Sequence, residues 1–335
     1  MAEVLDLRQF RCSQLEPLLR AETSEWSQRL DWDYGSSADL IRQYIEARIL
    51  PGYVLAERGR VRGWDAIGYG FFIYESRKGM IGNLFVAPEH RDPNHEAEQR
   101  LLLHMIDTLR GTPGLERIEA QLMPFAPAAL GQTFQLHGFQ SFRRVFLTLP
   151  LNSPPQRRGP PPLPEVTHYR DLRIEPWGGA TYEEAARLIQ HAYERHVDSR
   201  INDQYRSFTG AVRFMHNIAH YPGCGAFDAT ASFIARSVEH ATLDGMILTS
   251  RVKPEVSHVT QICVKPERQR QGLGRALLER CLEQLRKQGM RAATLTVTAD
   301  NASARALYQQ LGFTTMAEFD AYVWERPDRR QELEL

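Results

Sequence analysis

The hexapeptide Gln269, Arg270, Gln271, Gly272, Leu273, Gly274 sets two glycines among hydrogen-bonding side chains. It lies between the apolar run VTQICV, with its KPER link, and the run RALLERCLEQLRKQG. A helix that opens at such a turn leaves its first amides without intrahelical partners and carries partial positive charge there. Glycine at 272 and 274 lets phosphate oxygens come close where a Cβ would intrude, and Arg270 and Arg275 can add charge. The chemistry implied is retention of a pyrophosphate, mostly by backbone. A Walker loop would need a lysine after its last glycine, and none follows. A dinucleotide fingerprint would need a small residue where this chain has Leu277. Further on, Asn301 reads as an N-cap for a helix from Ser303, and Tyr308 shares a helical face with Ala304, Leu307 and Leu311, as a core aromatic would. His258 is the nearest titratable side chain on the strand before the turn. In residues 194–208, Asp198, Asp203 and Tyr205 suit an amine, while Arg200 and Arg206 suit a carboxylate or phosphate; a solvated loop with helix caps is the other reading.

The elements around these residues repeat. A strand ending at Val264 feeds the turn, and the helix after it sets Leu273, Leu277, Cys281 and Leu285 at four-residue spacing before Gly289 stops it. The second half reads as a strand over 167–177, a helix from Tyr182 to Arg195 and another from Val212 to Ala219. Strands over 232–238, 242–252 and 257–264 follow, then the turn and its helix, strand 292–298, a helix to Leu311 and a last strand from Phe319 to Glu325. The first half gives the same order, with helices near 14–30, 38–48 and 96–110 and strands near 53–58, 66–74, 80–86, 117–123 and 142–149. Between them residues 150–166 hold seven prolines, which favour extended backbone and read as an interdomain linker; a ligand for a proline-binding module is the alternative. The division expected is residues 1–150, a linker over 151–165, and 166–335.

The turn, followed at the right distance by LTVTADNASARALYQQLGF, resembles the GNAT superfamily of N-acyltransferases over roughly Val256 to Phe313. The resemblance implies an α/β protein of two tandem GNAT folds, each a mixed, mostly antiparallel sheet flanked by helices, as in mycothiol synthase. It implies acetyl-CoA as acyl donor, with its pyrophosphate at Gln269 to Arg275 and further contacts from Asn301, Ser303 and Tyr308. It gives the main chain of Ile262, Cys263 and Val264 to the pantetheine arm and acyl carbonyl, and it makes the Tyr308 hydroxyl the acid for the leaving thiolate. Residues 194–208 would line the acceptor groove. The base is not assigned: neither 257–264 nor 292–298 holds Asp or Glu, and Thr296 stands where some relatives carry a glutamate. His258 and a more distant carboxylate acting through water are both candidates.

The first half lacks the phosphate turn. No glycine occurs between Gly82 and Gly111, and Asp92, Glu96 and Glu98 place carboxylates near the helix start. It therefore reads as a degenerate copy that packs on the active one or completes its acceptor cleft.

Composition narrows the rest. With 335 residues, 42% hydrophobic and 24% charged, two cores are expected. Zero formal charge argues against nucleic-acid and membrane partners, and no run of 18 apolar residues spans a bilayer. Cys12, Cys224, Cys263 and Cys281 have no metal or disulfide spacing, which fits a reducing cytoplasm and no metal. The expected function is transfer of an acetyl group to a primary amine, on a small molecule or a protein N-terminus, by direct attack in a ternary complex. The alternative is a non-catalytic acyl-CoA sensor; the sequence leaves the acceptor and the oligomeric state open.

Overall fold

Runs rich in β-branched and aromatic residues form the strands, and four-residue apolar spacing forms the helices that cover them. The computed structural model describes residues 2–59, 63–126, 128–152, 167–179 and 181–327. The first half runs β1 (Glu3–Asp6), α1 (Cys12–Leu30), α2 (Gly35–Glu46), β2 (Gly52–Arg58), β3 (Trp64–Glu75), β4 (Lys78–Val86), α3 (Glu96–Gly111), β5 (Arg117–Gln121), α4 (Gly131–Leu136) and β6 (Gln140–Pro150). Next come β7 (Thr167–Tyr169), β8 (Leu172–Pro176), α5 (Tyr182–Tyr193), α6 (Asp198–Ile201), α7 (Phe208–His220) and β9 (Ala226–Phe227). The chain continues with β10 (Phe233–Ser237), β11 (Leu243–Lys253), β12 (Val256–Val264), α8 (Leu273–Lys287), β13 (Ala292–Thr298), α9 (Ala302–Gln310) and β14 (Thr314–Glu325).

Packing divides the chain into two compact units. One comprises Met1–Leu30, Tyr34–Arg144 and Glu318–Leu335; the other comprises Asp31–Asp33 and Val145–Ala317. This differs from a cut at the proline-rich segment, because strand pairing and not composition decides membership: Ala321–Glu325 of β14 pairs with Arg117–Gln121 of β5. Apart from Leu151 and Asn152, the linker expectation lies outside the described residues.

In the first unit β1, β2, β3 and β4 are antiparallel neighbours and β4 pairs parallel with β5. Leu15, Leu19, Ile41 and Ile45 of α1 and α2 belong to one core cluster and Leu101, Leu102, Met105 and Leu109 of α3 to another. In the second unit β7, β8, β10, β11 and β12 are antiparallel neighbours and β12 pairs parallel with β13. Leu188, Ile189 and Met215 of α5 and α7 join one cluster, and Leu273, Leu277, Cys281 and Leu285 of α8 another.

The duplication reaches the register. The parallel ladder ends at Ile81↔Ala120 in one unit and at Val259↔Leu295 in the other. The next residue is a bulge in both: Phe71 faces Asn83 while Phe72 faces Ile81, which skips Gly82, and Leu248 faces Gln261 while Thr249 faces Val259, which skips Thr260.

Three expectations change. The strand expected over 167–177 is a hairpin, β7 and β8, because Arg170 turns the chain at φ +55°. The second helix starts at Phe208, where the Ser207 hydroxyl caps the Gly210 amide, four residues before the apolar spacing showed it. The last strand begins at Thr314, directly after Phe313.

Candidate functional site

The turn is held from below. Tyr169 on β7 donates its hydroxyl to the Gln271 carbonyl at 2.6 Å, Gln271 Nε2 donates to the Glu267 carbonyl at 2.8 Å, and Gln269 Nε2 donates to the Val264 carbonyl at 3.2 Å. The preceding link is fixed by Asp244, which binds Lys265 Nζ at 2.6 Å and Arg268 Nε at 3.1 Å. Gly272 then adopts φ +89°, the left-handed region that favours glycine, and α8 begins. No side chain caps that helix, and the amides of Gly272, Leu273 and Gly274 have no acceptor among the described residues. A Cβ on Gly272 would come 2.4 Å from the Tyr169 hydroxyl, whereas one on Gly274 would meet nothing closer than Val264 Cγ2 at 3.9 Å. The open face at 274 and the unpartnered amides fit a pyrophosphate. Arg270 makes no hydrogen bond or ion pair among the described residues. Arg275 already binds Gln310 Oε1 at 2.5 Å, tying α8 to α9.

Beside the turn the sheet opens. β12 follows β11 as far as Val264↔Gly245, yet its ladder with β13 stops at Val259↔Leu295. The Thr260 bulge marks the parting, because an extra residue raises local twist and bends the strand. The edge from Thr260 to Val264, including Ile262 and Cys263, therefore has no strand partner on the β13 side among the described residues. Two of its carbonyls each meet one side chain: Ile262 takes the Tyr193 hydroxyl at 3.3 Å and Val264 takes Gln269. A carbonyl has a second lone pair.

Tyr308 stands on α9. Its ring is buried in the core cluster of the second unit, 5.9 Å from Phe313, and its hydroxyl bonds to no described residue. Burial first, then the negative Asp198 nearby, push that hydroxyl far above the usual tyrosine range, so it stays protonated at neutral pH. Asn301 is the N-cap of α9: its Oδ1 accepts from the Ala304 amide at 3.1 Å and from the Ser303 hydroxyl at 3.1 Å. The capping reading of Asn301 is thus met, and its Nδ2 also reaches His196 Nε2 at 3.1 Å.

The loop between α5 and α7 folds over this end of the sheet. Asp198 opens α6 and accepts a hydrogen bond from the Thr298 hydroxyl at the end of β13. Tyr205 is buried, stacked on Tyr193 with ring centroids 4.4 Å apart, and its hydroxyl donates to Gln261 Oε1 at 3.3 Å, so it forms the floor of the loop. Asp203 lies on the turn beside it and Arg200 is exposed on α6.

His258 sits in the paired half of β12. Its Nδ1 meets the Thr294 hydroxyl at 2.9 Å, and its ring lies against Trp32 and Phe146 with centroids 5.0 and 5.5 Å away. Thr294 is four residues from Thr298, about 13 Å along a strand. The structure thus packs His258 as a core side chain, away from the Asp198 end. Burial pushes the Cys263 thiol up to about 12, so it stays protonated at neutral pH. Tyr169, Tyr193, His196 and Thr298 were not singled out from sequence. His196 and Thr298 lay inside stretches already marked, but their partners are far away along the chain.

An uncapped helix start, a parted pair of strands and a buried tyrosine all lie in the second unit. Residues 186–313 match the acetyltransferase (GNAT) family. The chain is 56% identical over 52 residues to the [ribosomal protein bS18]-alanine N-acetyltransferase of Escherichia coli (strain K12), a match spanning 16% of this chain and 35% of that protein. It is 47% identical over 60 residues to a mycothiol acetyltransferase of Paenarthrobacter aurescens (strain TC1), spanning 18% and 19%. The chain therefore spans about a third or less of these curated relatives. Whole-chain similarity appears in structure. A GCN5-related N-acetyltransferase from Sphaerobacter thermophilus superposes with TM-score 0.63 at 14% identity, covering 98% of this chain and 96% of that one. A tandem GNAT protein from the clavulanic acid biosynthesis pathway gives 0.55 at 14% identity, covering 98% and 100%. The fold is a tandem GNAT fold.

Proposed function

We propose that the second unit is an acetyl-CoA-dependent N-acetyltransferase acting on a primary amine by direct attack. The observation that carries this reading is the opened edge of β12 beside the uncapped start of α8. The amides at Gly272 to Gly274 would take the pyrophosphate, and the edge from Ile262 to Val264 would take the pantetheine arm and orient the thioester carbonyl. Tyr308 would protonate the departing sulfur. Direct attack is favoured over an acyl-enzyme because the cysteine at the site, Cys263, is held protonated at neutral pH.

The acceptor is a small-molecule amine or a protein N-terminus, in keeping with relatives named for mycothiol and for an alanine of a ribosomal protein. An alkyl amine with an ordinary pKa near 10.4 pays roughly 4.6 kcal/mol to arrive neutral at pH 7, against about 1 kcal/mol for an α-amine near 7.7. Four free cysteines and zero net charge support a cytoplasmic setting. The test is incubation with acetyl-CoA and a panel of primary amines and N-terminal peptides, following thiol release and acetylated product by mass spectrometry. Tight acetyl-CoA binding with no product from any amine would replace this reading with an acyl-CoA sensor.

A further inference from the structure

Acetyl transfer to an amine needs a group that takes the nitrogen's proton, and β12 and β13 carry no Asp or Glu. We propose that Asp198 takes this proton, held in place by Thr298 and His196; the inference rests on the acetyltransferase reading above. Thr298 is the last residue of β13, the strand that parts from β12 to form the gap, and its hydroxyl donates to Asp198 Oδ1 across 100 residues of sequence. Asp198 Oδ2 lies 3.8 Å from His196 Nδ1, and the Asp198 amide donates to that same nitrogen at 3.1 Å. His196 Nε2 lies 3.1 Å from Asn301 Nδ2, which sets the loop against the start of the helix bearing Tyr308. The Asp198 side chain is 19% exposed, inside the site yet within reach of an entering molecule. Burial first, and then the charge of Asp198 among other groups, pushes the hydroxyls of Tyr193 on α5 and Tyr308 on α9 up.

The proton inventory closes on these residues. As the acceptor nitrogen bonds to the thioester carbon its attached protons become more acidic, and one passes to the Asp198 carboxylate. The carbon–sulfur bond breaks with its electron pair going to sulfur, which takes the Tyr308 proton. The proton on Asp198 then returns to the Tyr308 oxygen, so amide and free thiol leave with both side chains reset. His196 is a positioning residue here: its Nδ1 lone pair is used by the Asp198 amide.

The experiment uses the full chain, acetyl-CoA and three probes: glucosamine, spermidine and a peptide beginning with alanine. Asp198→Asn is expected to lower kcat by about 10²- to 10⁴-fold while acetyl-CoA affinity by calorimetry is retained. Thr298→Val should lower kcat less, by about tenfold. Formate added to Asp198→Gly should restore part of the rate, and ultraviolet titration referenced to Tyr308→Phe should show the Tyr308 phenol ionising at lower pH in Asp198→Asn. Near-wild-type turnover in Asp198→Asn overturns the proposal. A rate loss with no formate rescue and an unmoved Tyr308 titration also overturns it, leaving Asp198 a structural residue. Wild-type protein that binds acetyl-CoA and acetylates no probe sinks the acetyltransferase reading and this one together; an active wild type with an indifferent Asp198 sinks this one alone.

Discussion

Gly272 and Gly274 are both glycine for different reasons. At 272 the backbone is left-handed and the Tyr169 hydroxyl would lie 2.4 Å from a Cβ, so any side chain strains the turn itself. At 274 there is ordinary room within the protein, and only an incoming phosphate would be displaced. Gly274→Val is therefore expected to weaken acetyl-CoA binding at least about tenfold with an unchanged melting temperature, whereas Gly272→Val should also lose about 1–3 kcal/mol of stability. Calorimetry beside thermal melts checks both, and full affinity in Gly274→Val would refute the phosphate assignment. Tyr308→Phe separates ring from hydroxyl. The ring fills the core and the hydroxyl bonds to nothing described, so stability should hold while kcat falls roughly ten- to a thousandfold. Unchanged turnover would return Tyr308 to the role of a core aromatic.

The helix α5 leads into the loop that carries Asp198, and its start is fastened twice by one side chain. Glu184 completes a capping box with Thr181 and grips Arg236 through both oxygens, at 2.8 and 2.9 Å. The Arg236 hydrogen bonds dominate in lowering its carboxyl to about 2. A lowered acid stabilises the fold above its unfolded value near 4.5, and that stability disappears as pH falls toward 2. Glu184 is 34% exposed, so solvent screening reduces the full linkage value to about 1–2 kcal/mol. Urea unfolding of Glu184→Ala should show that loss at pH 7 and a shrinking difference from wild type below pH 4.5; a pH-independent difference would place the effect in packing.

Across the whole molecule the two units share register and bulge but differ at the helix start that follows. At the start of α3 His95 takes the left-handed position that Gly272 takes before α8, and the Asp92 carboxylate accepts from the Asn94 amide at 2.8 Å and the Glu96 amide at 2.9 Å. A phosphate there would meet negative charge and amides already used. The intact chain is therefore expected to bind one acetyl-CoA; a titration stoichiometry of two would show that the first unit is a working site. That unit stores a different signal. Glu22 is fully buried, and burial lifts its carboxyl to about 7 despite hydrogen bonds from Tyr69, Asn83 and Trp26. The folded state keeps a proton that the unfolded chain releases near 4.5, so this contribution is complete below 4.5 and about 3 kcal/mol is lost as pH rises through 7. Glu22→Gln should remove that slope, read as the difference between wild-type and variant denaturation midpoints across this range.

What the sequence determined by itself was local. A glycine turn between an apolar strand and an amphipathic helix, Asn301 as a cap, the parallel order of elements in both halves and the carboxylates at Asp92 and Glu96 all depend on neighbours a few residues apart, where spacing and residue type are sufficient. What only tertiary structure decided rests on pairs far along the chain. The bulge at Thr260 arises from register against β11, the packing of His258 from Trp32 and Phe146, and the place of Ala321–Glu325 in the first unit from pairing with β5. Asp198 is the sharpest case: in sequence it is one acid in a polar loop, and it comes to the end of β13 because Thr298 hydrogen-bonds it. Such contacts follow from how sheet and loop close in space, which the period of a single strand or helix does not encode.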